Sequence, residues 1–247
     1  MLPLRDTIRS RHFPAMTWLL VAANTAVFLF EILLSPHERG LFMRTFALVP
    51  AELFSGNLFA WFTLLSAMFM HGGWFHFLSN MWILFIFGDN VEDRMGPIPY
   101  LLFYLLGGTA AGLLQVAVAP ASQVPVVGAS GAIAAVLGAY LFLFPGARVV
   151  TLIPIFIFPW IVQIRAIFYL GFWFISQLYS GFLTLAMPSG ANVGGVAWWA
   201  HVGGFLFGLL LARRFLFRPT PPPVVPRSQY YHIPTGTRHI ETGHKDQ

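Results

Sequence analysis

The sequence predicts an all-α membrane protein, a bundle of six transmembrane helices with both chain ends on the inner side. Three observations carry this: an apolar composition, six apolar segments of spanning length, and positive charge confined to one side. Of 247 residues, 57% are hydrophobic and 9% charged, where soluble proteins carry about 25% charged residues. Mean hydropathy is +0.71, and 26 Phe and 8 Trp supply much of it. A soluble fold of this size cannot hide so much apolar surface, so part of its solvent is lipid.

The first element is a basic cytoplasmic N-terminus, residues 1–15. The apolar run from Met16 to Leu34 resembles a signal-peptide core, but it is longer and lacks a small-x-small cleavage site. It reads as a retained span at 16–35. Further spans are expected at 68–88, 98–118, 128–145, 166–187 and 195–217, making 16–217 one six-span domain. At 1.5 Å per residue, each reaches across a hydrocarbon core of about 30 Å.

Between the first two spans, residues 36–66 mix Glu38, Arg39, Arg44 and Glu52 with Phe42, Phe46, Phe59 and Trp61. That mixture predicts short amphipathic pieces in the membrane interface. Residues 146–165 are apolar enough to imitate a seventh span. They are short, contain Pro154 and Pro159, and are flanked by Arg148 and Arg165. A hairpin or re-entrant cytoplasmic piece is expected there, because a crossing would put His201 on the face opposite Ser130. Residues 218–247 begin Pro-rich and continue polar, which predicts a disordered cytoplasmic tail.

Charge orients the bundle. With the N-terminus inside, 12 of the 14 Lys and Arg residues fall on the cytoplasmic side, and only Arg39 and Arg44 fall outside. This is a strong positive-inside pattern. In a soluble protein the net charge of +5 would point to nucleic acid. Here the cations flank spans and chain ends, where they meet anionic headgroups, so the expected partner is the bilayer and not nucleic acid. With no cysteine, disulfides and thiol nucleophiles are excluded.

Polar side chains inside spans are few and each needs an explanation. His76 and Asn80 lie four apart, on one helical face of the second span. The fourth span opens with Gly128-Ala129-Ser130-Gly131, and the sixth carries Ala200-His201-Val202-Gly203-Gly204. Small residues at Ser130, Ala134 and Gly138, and at Ala200, Gly204, Gly208 and Ala212, form two stripes that let helices approach closely. Contact between them brings the His201 imidazole to Ser130. The span limits put Ser130 about one turn, and His201 and His76 about two turns, below the outer surface. A serine hydroxyl needs a neighbouring base, which a neutral imidazole supplies. A developing oxyanion needs donors, and His76, Asn80 and the Ser130 N–H are candidates. No carboxylate lies in these spans, so the expected arrangement is a Ser-His dyad.

Taken singly these motifs are weak. Gly-Ala-Ser-Gly is more often plain helix packing, a lone intramembrane histidine is often just a packed one, and His71 reads as an interface or loop-fixing residue. Trp198 and Trp199 read as an interfacial belt, and Glu92 and Arg94 as ties within a cytoplasmic loop. Together, His71-Gly-Gly-Trp-Phe-His76-Phe-Leu-Ser-Asn80, Gly128-Ala-Ser130-Gly131, Ala200-His201-Val-Gly-Gly204 and Gly88-Asp-Asn-Val-Glu92-Asp-Arg94-Met-Gly96 resemble the rhomboid family of intramembrane serine proteases. The likeness covers roughly residues 15–217, in the family's order.

The resemblance implies a rhomboid-like six-helix bundle in the cell membrane of a prokaryote. Ser130 would be the nucleophile and His201 the base, with His76 and Asn80 as oxyanion donors and Gly128 beside the same hole. His71, Gly131 and Gly204 would support the site. Substrates would be membrane proteins with a helix-destabilised transmembrane segment, and no cofactor would be needed. The fifth helix, 166–187, and the loop 188–197 would form the substrate gate. Two departures stand out. Trp61 is followed by Phe62 where many members have Trp-Arg, and Ala134 stands where some place a tyrosine against the base.

Other classes fit less well. A metalloprotease would bring His-Glu-x-x-His, which is absent. A transporter would bring paired broken helices and intramembrane carboxylates. A rhomboid-like pseudoprotease that binds clients without cutting would normally lack Ser or His.

Overall fold

The structure is a computed structural model, and it describes residues 1–155, 158–186 and 196–217. The expected tail, 218–247, and residues 188–195 of the expected gate loop lie outside the described residues. The fold is mostly helical. In chain order it runs β1 (Leu2–Asp6), α1 (Ala15–Leu33), α2 (Pro36–Phe46), α3 (Phe59–Ser66), α4 (Trp74–Met95), α5 (Pro97–Val118) and α6 (Ser130–Leu143). Then follow β2 (Arg148–Ile155), β3 (Phe158–Arg165), α7 (Ala166–Ala186) and α8 (Trp198–Leu211). Every segment read as a span is a helix. Residues 36–66 form α2, a short 3-10 turn at Pro50–Glu52, and α3.

Helix α6 is the hub. All ten residues from Gly131 to Tyr140 are buried, and a helix apolar on every side is one surrounded by protein. Its partner is α8, and the two backbones nearly touch. A Cβ on Gly204 would stand 2.0 Å from the Gly131 carbonyl oxygen, and one on Gly208 would stand 1.9 Å from that of Ala135. From the other side, a Cβ on Gly138 would stand 2.1 Å from the Phe205 carbonyl oxygen. Helix α5 closes the group, with Gly107 against Ala135 and Gly203 of α8 against Leu114. The small-residue stripes therefore make the close contact expected of them.

Two expectations need correction. The fold is not all-α, because β1, β2 and β3 form one antiparallel sheet in that order. Val149, Val150, Thr151 and Ile153 pair with Ile164, Gln163, Val162 and Trp160, and this β-branched content suits a pleated surface better than a helix. Pro154 pairs with Pro159 next to the turn, where a missing N–H costs least. Residues 146–165 thus hold a β-hairpin, and the N-terminus supplies a third strand, with Leu2 opposite Leu152 and Asp6 opposite Val149.

The second correction concerns helix ends. α6 and α8 have 14 residues each, about 21 Å at 1.5 Å per residue and shorter than a bilayer core of about 30 Å. Each starts later than its apolar run. Ser130 is the first residue of α6, and His76 and His201 both lie in the first turn of their helices. The chain before α6 is irregular, which is tolerated at membrane depth only where protein or a water-filled cavity surrounds it.

The sheet is pinned to the helix ends opposite Ser130. Trp82 Nε1 donates to the Pro3 carbonyl at 2.7 Å. Asp6 accepts from the Tyr140 hydroxyl at 2.6 Å and from Asn90 at 2.9 Å. Glu92, in the last turns of α4, caps α1 by accepting from the N–H groups of Met16 and Thr17 at 2.9 and 2.7 Å. A carboxylate there meets both unpaired donors and the positive end of the helix.

Candidate active site

Three helix N-termini, those of α4, α6 and α8, meet at the end away from the sheet. Their first turns carry unpaired backbone N–H groups. Ser130 is led in by Gly128, whose φ of +124° suits glycine and whose N–H donates to the Ala67 carbonyl at 2.9 Å. A side chain at 128 is excluded twice over, because a Cβ would also sit 2.6 Å from Cε1 and Nε2 of His76. The preceding chain is tied down by paired hydrogen bonds between Leu48 and Val126, at 3.1 and 2.8 Å.

The Ser130 hydroxyl and His201 Nε2 are 2.8 Å apart. On the far side of the ring, His201 Nδ1 lies 2.8 Å from Oε1 of Gln177, which comes from α7. The Trp173 ring lies over the imidazole, with centroids 5.9 Å apart and planes inclined by 34°. Trp198 meets it edge-on at 6.2 Å, and Trp199 packs against Gly181 and Phe182 of α7. The two tryptophans read as an interfacial belt also pack against His201 and α7 while remaining partly exposed. Trp173 is thus the ring packed beside the base.

His76, beside Gly128, lines with Ser130 a cavity of about 610 Å³, which Asn80, Gly131 and His201 also line. Its Nδ1 accepts from the Gly72 N–H at 3.5 Å, which leaves the hydrogen on Nε2, the atom turned toward Gly128. Asn80 is 6% exposed, and its amide nitrogen has no hydrogen-bond partner among the described residues. A second cavity, of about 210 Å³, opens from Ser130 and His201 between α4 and α7, with Ile83, Tyr169 and Trp173 on its walls.

His71 is fully buried, its ring packed edge-on against Phe28, Phe77 and His76, which fits a loop-fixing role. Its backbone N–H donates to Glu31 at 3.2 Å. Gly131 and Gly204 serve packing: a Cβ on Gly131 would lie 2.7 Å from the Cβ of Ala111, and Gly204 abuts the Gly131 carbonyl. Gln177 and Glu31 escape the motif-based reading. Both are buried polar residues in otherwise apolar helices, and asking what each buried polar group in α1 and α7 binds would have found them.

Chemically, a serine hydroxyl against an imidazole nitrogen, with unpaired amide donors nearby, is an arrangement able to activate an oxygen nucleophile and hold an oxyanion. Residues 58–218, more than half of the chain, match the Rhomboid domain family model. The chain belongs to the rhomboid family.

Among its relatives, Rhomboid-like protein 11, chloroplastic, of Arabidopsis thaliana is 42% identical over 31% of this chain and 27% of that protein. The Bacillus subtilis rhomboid protein YdcA, whose name makes it a candidate protease, is 30% identical over 54% of this chain and 64% of its own length. Presenilin-associated rhomboid-like protein, mitochondrial, of Bos taurus is 27% identical over 77% of this chain and 46% of that one. The chain spans between 27% and 64% of these three relatives.

As a rhomboid, it is an integral membrane protein, and α1, α5 and α7 are long and apolar enough to cross a bilayer. The rhomboid match contains Ser130, His201, His76, Asn80, Gly128 and Gln177, and leaves β1 and α1 outside it.

Proposed function

We propose that this rhomboid is an intramembrane serine endopeptidase that cuts transmembrane segments of other membrane proteins. The observation that carries the reading is the 2.8 Å contact between Ser130 Oγ and His201 Nε2. Ser130 Oγ attacks the scissile carbonyl carbon while its proton passes to His201 Nε2. The negative charge developing on the carbonyl oxygen is held by the Asn80 amide, the His76 Nε2–H and the Ser130 N–H. His201 then gives its proton to the leaving amine. Water, deprotonated by the same imidazole, cleaves the acyl ester and regenerates the serine. The cavity beside Ser130 supports the reading by giving water and an unwound peptide room to enter.

In this proposal α1, α4, α5, α6, α7 and α8 are the six spans, the sheet and both chain ends face the cytoplasm, and the host is a prokaryotic cell membrane. Substrates carry helix-breaking or small residues, because a peptide bond in an intact helix cannot reach a serine in this setting. The reaction needs no cofactor.

The test is cleavage of a helical membrane substrate by purified protein in proteoliposomes. Ser130→Ala and His201→Ala are expected to lose at least about 10³-fold in kcat, and a fluorophosphonate is expected to label wild type at Ser130. Undiminished cleavage by either variant overturns the dyad. A wild type that binds several clients and cuts none is a pseudoprotease instead.

A further inference from the structure

A neutral imidazole has two tautomers, and only one suits a general base. His201 Nε2 must carry a lone pair toward Ser130, so the ring hydrogen must sit on Nδ1. Something has to accept that hydrogen. In familiar triads the acceptor is a carboxylate. Among the described residues no carboxylate contacts this ring, whose Nδ1 instead meets the Gln177 side chain at 2.8 Å.

Gln177 can satisfy the requirement only if its oxygen faces the ring, and its surroundings decide that. The Ser176 hydroxyl donates to the Trp173 carbonyl at 2.6 Å, so its single hydrogen is committed. Toward Gln177 the Ser176 oxygen can only accept, and it lies 2.9 Å from Gln177 Nε2. The same nitrogen lies 3.2 Å from the Trp173 carbonyl, a second acceptor. With the amide reversed, its oxygen would face two acceptors. The NH₂ group is therefore held against α7, and Oε1 is left for His201.

The donors now run one way: Ser130 O–H to His201 Nε2, His201 Nδ1–H to Gln177 Oε1, and Gln177 NH₂ to Ser176 and the α7 backbone. Gln177 is 5% exposed, so water does not compete for its oxygen, and successive bonds of one sense polarise each other.

We infer that Gln177 is the positioning residue of His201, fixing the catalytic tautomer and turning the Ser-His pair into a Ser-His-Gln arrangement. The inference rests on the reading of Ser130 and His201 as the reacting pair. Gln177 moves no proton. Its neutral carbonyl holds the ring and gives a dipole to the imidazolium when that forms. Because it stands on α7, while base and serine stand on α8 and α6, the base is correctly set only while α7 is seated.

The test compares wild type with Gln177→Met, similar in length without the acceptor, and with Gln177→Glu, which keeps one. Methionine is expected to lower kcat about 10–100-fold with KM within about twofold, a smaller loss than the about 10⁴-fold seen when a triad holds its histidine in the wrong tautomer. Glutamate is expected to recover most of that loss. In ¹⁵N-histidine NMR, the His201 ring should carry its hydrogen on Nδ1 in wild type and shift toward Nε2 in Gln177→Met. A Gln177→Met protein with wild-type kcat and an unchanged His201 spectrum overturns the inference. Should methionine prevent folding, Gln177→Leu repeats both measurements. The NMR readout needs no turnover, so it decides Gln177 even if cleavage is never detected. Ser130→Ala that cuts like wild type defeats the protease reading separately.

Discussion

Gly128 is the residue on which backbone and chemistry depend together. Its φ of +124° is one that an L side chain rarely adopts, and its missing Cβ leaves room for the His76 ring at 2.6 Å from where that carbon would be. Gly128→Ala should therefore strain the approach to α6 by about 1–2 kcal/mol and push His76 off the cavity. Removing one oxyanion donor typically costs about 10²–10³-fold in kcat, and a fall of that order is expected here. Cleavage rates and thermal unfolding of the variant check both effects; a Gly128→Ala enzyme at wild-type rate would remove His76 and Gly128 from the site. At this scale the sequence is legible where motifs exist. Ser130 sits in a Gly-Ala-Ser-Gly run, His201 just before Gly203-Gly204, and His76 and Asn80 four apart after Gly72-Gly73, spacings that make sense only together. Gln177 belongs to no such motif, and its importance comes from neighbours 24 residues away and one step back along the chain.

Between elements, the contact of α6 with α8 sets the distance from Ser130 to His201. Gly204 and Gly208 meet carbonyl oxygens of α6 at 2.0 and 1.9 Å from where their Cβ atoms would be, so alanine at either must push the helix backbones apart. Overpacking of this kind costs about 1–3 kcal/mol. The two sites should differ in effect. Gly204 abuts Gly131, next to the serine, whereas Gly208 abuts Ala135, a turn deeper. Gly204→Ala is expected to lose both melting temperature and kcat, and Gly208→Ala chiefly melting temperature. Equal kcat losses at equal stability would deny that the upper contact aligns the pair. The stripes are readable as small residues at helical spacing. The starts of α6 and α8 are not, because Gly128 and Ala129, or Val196 and Ala197, are as apolar as the residues that follow. Nor is the sheet, since hydrophobic runs of eight residues serve a buried helix and a strand alike, and only the pairing of Arg148–Ile155 with Phe158–Arg165 decides.

Across the whole molecule, the site and the sheet occupy opposite ends, and one carboxyl joins the sheet to the bundle. Asp6 leaves β1 to meet Tyr140 of α6 and Asn90 of α4. Burial raises its pKa to about 7, the Tyr140 hydrogen bond pulls it partly back, and the nearby Asp89 carboxylate raises it further. A carboxyl whose pKa is higher in the folded state than the unfolded value of 3.8 binds its proton more tightly when folded. Its contribution to stability is therefore complete below about pH 4 and is lost as pH rises through about 7. Asp6→Asn cannot ionise and should escape that loss. Relative to wild type, the asparagine variant should gain stability as pH rises from about 4 to about 7, and the gain should level off above that. The full shift would be worth about 4 kcal/mol. Because Asp6 is only half-buried, solvent screening reduces the expected gain to about 1–2 kcal/mol. Melting temperatures of both proteins in one detergent across that range measure it. A difference that stays constant with pH would mean that Asp6 remains ionised throughout, and that the strand is held by charge and not by a protonated carboxyl. A difference that grows from about pH 4 to 7 and then levels off would show that Asp6 holds its proton in the folded junction of β1, α4 and α6, at the end away from Ser130.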